Sequence, residues 1–145
     1  MVIIRPAVLS DEPYITQTWV DNFRDSALGH SLGDRLYEIR WREIVRMLLA
    51  RCITMVAYDE DAPDLMLGFA TFEYESPIEQ SRVFLHYVYV RFPQRGARVA
   101  TDMLSLISDR RIIYTHRTTA AQVYTSRHPH LTWTYDFTRI FRGVS

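Results

Sequence analysis

The spacing of apolar residues changes near residue 52 of this 145-residue chain, and that change limits what it can fold into. Up to about residue 50 the period is helical. Ile15, Trp19 and Phe23 stand four apart, and Tyr37, Trp41, Ile44 and Leu48 keep a similar register with charges between them, as one face of an amphipathic helix requires. The first helix begins at Ser10-Asp11-Glu12-Pro13, where capping groups, first-turn acids and a proline near N1 coincide, and it runs to about Arg24. Asp25–Gly33, with two glycines and two serines, reads as a loop before a second helix over about Asp34–Ala50.

From Ile53 onward the pattern is of the β type. Val2–Ile4 is a short strand stopped by Pro6; Ile53–Tyr58, Leu65–Tyr74 and Val83–Val90 are longer ones, with a polar turn at Asp59–Asp64. Phe92–Gly96 is a turn, and Val99, Met103 and Ile107 mark a helix of about three turns. Ile112–Thr115 is another strand, and Arg117–His130 has room for a short helix. Leu131, Trp133, Tyr135 and Phe137 alternate with Thr132, Thr134, Asp136 and Thr138, the pattern of a half-buried strand. The order β α α β β β α β α β predicts one α/β (α+β) domain over residues 1–145, in three layers, with a mixed central sheet flanked by helices.

Charge narrows the function. All 17 basic residues are arginine, and 17 acids balance them, so the net charge of zero argues against a generic nucleic-acid binder. Residues 1–75 carry 7 Arg against 13 acids, whereas residues 76–145 carry 10 Arg against 4, a split of −6 and +6. Such a split fits an anion site in the second half, or two halves that attract across one fold. The single Cys52 excludes an internal disulfide and fits a reducing compartment, so a cytoplasmic protein is expected. The N-terminus lacks the pattern of a signal peptide, and no apolar run approaches a membrane span.

The stretch richest in chemistry is Val90-Arg91-Phe92-Pro93-Gln94-Arg95-Gly96-Ala97-Arg98-Val99-Ala100. A strand ends, a glycine turn follows and a helix begins, an arrangement that offers backbone N–H groups to phosphate. Arg95 and Arg98 add charge, and the segment from Arg82 to Arg117 carries 7 Arg against 2 Asp. Val90, Arg95, Gly96 and Ala100 match the loop V-x-P-x-x-R-G-x-G-x-G/A of the GCN5-related N-acetyltransferase (GNAT) family, with Pro93 one place late. Ile3-Ile4-Arg5-Pro6-Ala7 with Ser10-Asp11, Leu67-Gly68-Phe69-Ala70, and Ala120-Ala121-Gln122-Val123-Tyr124 are similar to three further family segments. The chain thus resembles the GNAT family over about residues 2–124, and the run His86–Val90 with Gln94-Arg95-Gly96 also resembles small phage-encoded members. Two features depart from the family. Arg98 stands where a glycine lets backbone approach the pyrophosphate, so its guanidinium either covers the phosphates or blocks them, and the Gly-Phe that usually follows the tyrosine is absent.

The resemblance implies acetyl transfer from acetyl-CoA to an amine by direct attack, with acetyl-CoA as co-substrate and no metal. It implies cofactor contacts at Tyr89, Val90, Arg95, Gly96, Ala97, Arg98, Val99 and Ala100, with an oxyanion donor among the backbone amides of Tyr87–Val90. It gives Tyr124 as the acid toward the thiolate. His86 lies on the cofactor strand where the family often carries a base, and its unperturbed pKa suits proton removal near neutral pH. Glu73, with Glu75 on the same strand face, competes for that role. The expected partner is a small-molecule or peptide amine, not nucleic acid or membrane, and a homodimer is left open. The alternative to an enzyme is a non-catalytic GNAT-fold binding or assembly module with a degenerate CoA loop.

Overall fold

The computed structural model describes residues 1–24, 34–76, 78–91, 98–116, 118–129, 131 and 133–141. The expected loop at 25–33 and turn at 92–96 lie outside them. Strands β1 (Val2–Pro6), β2 (Ile53–Asp59), β3 (Ala62–Tyr74), β4 (Arg82–Val90), β5 (Arg111–Tyr114) and β6 (Trp133–Tyr135) lie side by side in that order. The first four pair antiparallel and the last two join in parallel, so the sheet is mixed, as expected.

Helices cover both faces. On one face lie α1 (Glu12–Arg24) and α2 (Asp34–Arg51), which bury Ile15, Trp19, Tyr37, Val45 and Leu48 against Val56, Phe69 and Tyr87. The helical period is confirmed with one shift, since Val45 rather than Ile44 is fully buried. On the other face, α3 (Val99–Leu104) and α4 (Thr119–Arg127) cover Leu67, Ala70, Leu85, Val88 and Val90 with Met103, Leu104 and Tyr124. Each fully buried large side chain stabilises the fold by roughly 1.5–3 kcal/mol relative to exposure.

Local capping follows the sequence. Asp11 accepts from the Val8 amide at 2.8 Å and from Arg5 at 2.7 Å, tying β1 to a 3-10 turn (Leu9–Asp11) that leads into α1. Thr118 caps α4 by accepting from the Ala121 amide at 3.2 Å.

Two elements are shorter than their apolar spacing predicts. The helix expected to reach Ile107 is α-helical only over Val99–Leu104, because Leu106 and Ile107 bond back three residues, to Met103 and Leu104. Ser105 also donates to the Asp102 carbonyl at 2.8 Å, a local bond that competes with the helical ladder. Similarly, the strand expected over Leu131–Thr138 is ordered as β6 only over Trp133–Tyr135. The Asp136 carboxylate captures both the amide (3.0 Å) and hydroxyl (2.6 Å) of Thr138, turning the chain into a 3-10 turn over Phe137–Phe141. That turn drops Ile140 into the core of the α1/α2 face.

Gly68 lets α3 sit close to the sheet. A Cβ there would run into the Tyr89 carbonyl oxygen and lie 3.2 Å from the Met103 methyl. Gly68→Ala is therefore expected to destabilise the protein by about 1–3 kcal/mol, the usual cost of overpacking. Thermal denaturation would read this as a lowered midpoint, and an unchanged midpoint would contradict the packing described.

Candidate active site

Strand β4 keeps β3 along its whole length but keeps β5 only from Arg82 to Leu85. The last bond between the parallel strands runs from the Thr115 amide to the Leu85 carbonyl, at 3.0 Å. Beyond it the strands part. At the same place β4 bulges: Leu85 pairs with Phe72 and Tyr87 with Thr71, which leaves His86 as the extra residue. An opening thus forms in the middle of the sheet, beside His86–Val90.

On the α3/α4 side, the opening meets a cavity of about 70 Å³. Its walls come from Val90, Arg98, Ala100 and Thr101 on one side and from Thr119, Ala120, Val123, Tyr124, Arg127 and His128 on the other. Among the described residues no carboxylate lines it, and the guanidinium groups of Arg98 and Arg127 do. Of the expected cofactor contacts, Val90, Arg98 and Ala100 line this cavity, and Val99 is buried at its floor-side helix. Tyr89 faces the opposite side of the sheet, stacked at a tilt on Phe69. Arg95, Gly96 and Ala97 lie outside the described residues. Tyr124 sits under the cavity, its ring 4.2 Å from that of His128 and 5.4 Å from Trp133. Arg98 adopts φ = 67°, a left-handed conformation that suits glycine.

On the other side of the sheet, Glu73 and His86 are brought together as the competing candidates they are. Glu73 Oε2 receives three bonds of 2.9 Å, from His86 Nε2, Arg51 Nε and Cys52 Sγ. Glu75 lies apart, paired with Arg82 at 2.9 Å across the β3–β4 hairpin. Burial favours a raised Glu73 pKa, but the hydrogen bonds from His86 and Cys52, with the charges nearby, outweigh it and hold the carboxyl at about 2. Burial lowers the His86 pKa, and Glu73 offsets that only in part, so His86 is neutral at pH 7. Burial also pushes the Cys52 thiol up, with Glu73 adding to the effect, and the thiol stays protonated. Cys52, Glu73 and His86 offer three metal-ligand types within 4.8 Å of one another. Their contacts to Glu73 are hydrogen bonds in length, and the Arg51 cation shares the same oxygen.

The second ring nitrogen of His86 is also engaged, with Thr115 Oγ1 at 3.1 Å. Thr115 in turn lies 2.9 Å from His116 Nδ1, and His116 Nε2 accepts from the Trp19 indole at 3.4 Å. His116 is enclosed by the rings of Trp19, Phe23, Trp41, Tyr87 and Phe137. Burial in that apolar setting drives its pKa well below the ordinary value.

The fold that carries these residues recurs in solved acetyltransferases. A Corynebacterium glutamicum structure of histone acetyltransferase HPA2 and related acetyltransferase aligns over 87% of this chain and 83% of its own, with TM-score 0.62 and 18% identity. A GNAT-family acetyltransferase from Brucella melitensis in complex with acetyl-CoA aligns over 88% and 81%, with TM-score 0.54 and 19% identity. An N-acetyltransferase from Staphylococcus aureus aligns over 90% and 82%, with TM-score 0.54 and 18% identity. The chain has the GNAT acetyltransferase fold. No protein-family sequence model and no curated protein sequence matches it, so the likeness lies in the arrangement of elements rather than in residue identity.

Within this GNAT fold, sequence reasoning missed Arg127, which lines the cavity together with Arg98. Its only local signal is a cation in the last turn of α4. It also missed Arg51, Thr115 and the placement of His116, because their partners are remote in sequence. His128 stacks on Tyr124 and engages its carbonyl through Nδ1 at 2.9 Å.

Two buried neutral histidines make stability depend on pH. Their pKa values are lower in the folded protein than the ordinary 6.5 of the unfolded chain. The unfolded state therefore takes up protons first as pH falls, so the stabilisation is complete above 6.5 and declines below it. Glu73, also lowered on folding, adds a further loss between its ordinary 4.5 and about 2. Urea denaturation is expected to give falling stability from pH 7.5 to 5; equal midpoints across that range would contradict the assignment. Separately, Arg98→Gly is expected to stabilise the fold by about 1 kcal/mol, by relieving left-handed backbone at a non-glycine residue.

Proposed function

We propose that the protein is an acetyl-CoA-dependent N-acetyltransferase that acts on a small-molecule or peptide amine in a reducing, cytoplasmic setting. The observation that carries this reading is the parting of β4 from β5 at a bulge, beside a cavity lined by two arginines and a tyrosine, with no carboxylate among its described lining residues. The acetyl thioester supplies an activated acyl group, and the chain binds and orients it. Arg98 and Arg127 suit its phosphates, since guanidinium groups form strong charge-assisted bonds to phosphate oxygens. Val90, Ala100 and Val123 offer an apolar wall to the chain that carries the sulfur.

The transfer itself needs two services from the protein, a donor for the developing oxyanion and a proton for the leaving thiolate. As the amine nitrogen attacks the acyl carbon, a C–N bond forms, charge builds on the carbonyl oxygen and the C–S bond then breaks. The Arg91 amide bonds the Leu67 carbonyl at 2.7 Å, so alternation along β4 turns the even-numbered amides toward the opening. Val88 N–H is the donor in this reading, which narrows the expected group Tyr87–Val90. Tyr124 gives a proton to the departing thiolate, and the amine arrives uncharged or loses its proton to water. His86 and Glu73 serve from behind β4, since both ring nitrogens of His86 are already engaged.

The alternative of a binding module would be favoured by a filled groove. Arg98 instead is exposed and stands at the wall of the cavity. Calorimetry with acetyl-CoA tests the reading directly. Binding in the micromolar range is expected, and Arg127→Gln should weaken it about tenfold, the worth of one charge-assisted bond. No binding at millimolar ligand would sink the enzyme and leave the module. Tyr124→Phe keeps the stacked ring and removes the proton. It should lower kcat on an amine acceptor about 100-fold, the low end for general acid catalysis, while binding is retained.

A further inference from the structure

Fixed donors and acceptors determine every proton in the chain of polar groups behind β4. The Trp19 indole can only donate, so His116 Nε2 accepts, and neutral His116 carries its proton on Nδ1. That Nδ1–H donates to Thr115 Oγ1 at 2.9 Å. At the other end the ionised Glu73 carboxylate can only accept, so His86 carries its proton on Nε2 and donates at 2.9 Å. The bare Nδ1 of His86 then needs a donor, and the Thr115 hydroxyl stands at 3.1 Å. All the bonds point one way, from Trp19 to Glu73.

The middle of this chain coincides with the opening in the sheet. Thr115 makes the last backbone bond before β5 leaves β4, and its hydroxyl lies against the bulged residue, 3.1 Å from His86 Nδ1, to which its one proton goes, and 3.3 Å from the His86 carbonyl oxygen. His86 and Thr115 are fully buried and His116 nearly so. A buried donor or acceptor left unpaired costs about 1–3 kcal/mol, so the bulge has one favoured shape only while the chain is complete.

We infer that Thr115 and His116 are positioning residues for acyl transfer: through the chain Trp19–His116–Thr115–His86–Glu73 they fix the His86 ring, and with it the bulge that turns the backbone of β4 into the opening. This rests on the acetyltransferase reading for its consequence, though not for its proton assignments. Neither residue touches the acetyl group or the amine. Their effect is on kcat, through the direction of the Val88 amide, and not on the affinity of the cavity for acetyl-CoA on the far side of the sheet.

The test uses the full chain and two readouts. Nitrogen-15 NMR of the histidine rings, without any acyl donor, is expected to show His86 protonated on Nε2 and His116 on Nδ1 in the parent. Thr115→Val keeps the branched shape and removes the hydroxyl; it should leave His86 protonated on Nε2 but move its Nδ1 resonance to that of a nitrogen accepting no hydrogen bond, and lower kcat about tenfold, as loss of one buried hydrogen bond implies. KM for acetyl-CoA should stay unchanged, and Thr115→Ser should restore both the Nδ1 resonance and most of kcat. Should Thr115→Val not fold, Trp19→Phe removes the first donor instead and should move the His116 Nε2 resonance to that of a nitrogen accepting no hydrogen bond, with reduced kcat. His86 protonated on Nδ1 in the parent, or parental kcat in a folded Thr115→Val, would overturn the inference. A parent that binds no acetyl-CoA and transfers no acetyl group overturns the acetyltransferase reading and the kinetic role together, while the nitrogen shifts still decide the proton assignments.

Discussion

Strand β4 is paired on both edges only as far as Leu85, and the rest of the molecule is arranged around what happens next. Backbone groups that lose a partner strand inside a protein must find another use or lose free energy. Here the bulge at His86 bends the strand where β5 departs, and Thr115 supplies side-chain bonds where the ladder stops. The residues past the bulge remain tied to β3, so the opening has one rigid wall. The cavity beyond it belongs to α3 and α4, which pack on one sheet face, and the Glu73 cluster belongs to the face under α1 and α2.

That division also gives meaning to the split charge. The acidic first half supplies α1, α2 and the β2–β3 hairpin, and its half-buried carboxylate Glu73 is neutralised by Arg51 and bonded by His86. The basic second half supplies the cavity, which Arg98 and Arg127 both line, with no acid among the described lining residues. Burying a carboxylate is costly unless it is paired and fully bonded, and Glu73 meets both conditions. Its low pKa makes it a poor proton acceptor at neutral pH. It is better suited to holding a neighbour than to taking a proton from an amine.

Much of the fold was legible in the sequence because it is local. Ile15, Trp19 and Phe23 announce a helix by spacing alone, and Val83–Val90 announces a strand by composition. Val90, Arg98, Ala100 and Tyr124 were singled out from the sequence and line one cavity. Where the reading failed, a short side chain had captured the backbone. Asp136 ended the last strand early by bonding Thr138, and the Ser105 bond accompanies the end of α3. Apolar periodicity carries no record of such bonds.

The amino-acid sequence by itself determined the kinds of element, their order and the apolar faces that they bury, because these follow from backbone propensity and side-chain spacing along a few turns. Only the tertiary structure decided which polar groups meet. Trp19 and His116 are 97 residues apart, His86 and Thr115 are 29 apart, and Arg127 shares a cavity with Arg98 only because two separate helices pack on one face. Parallel pairing of β4 with β5 sets the first two contacts, and a parallel pair is joined through a crossover rather than a local turn. The chemistry of this site is therefore a property of the sheet's register.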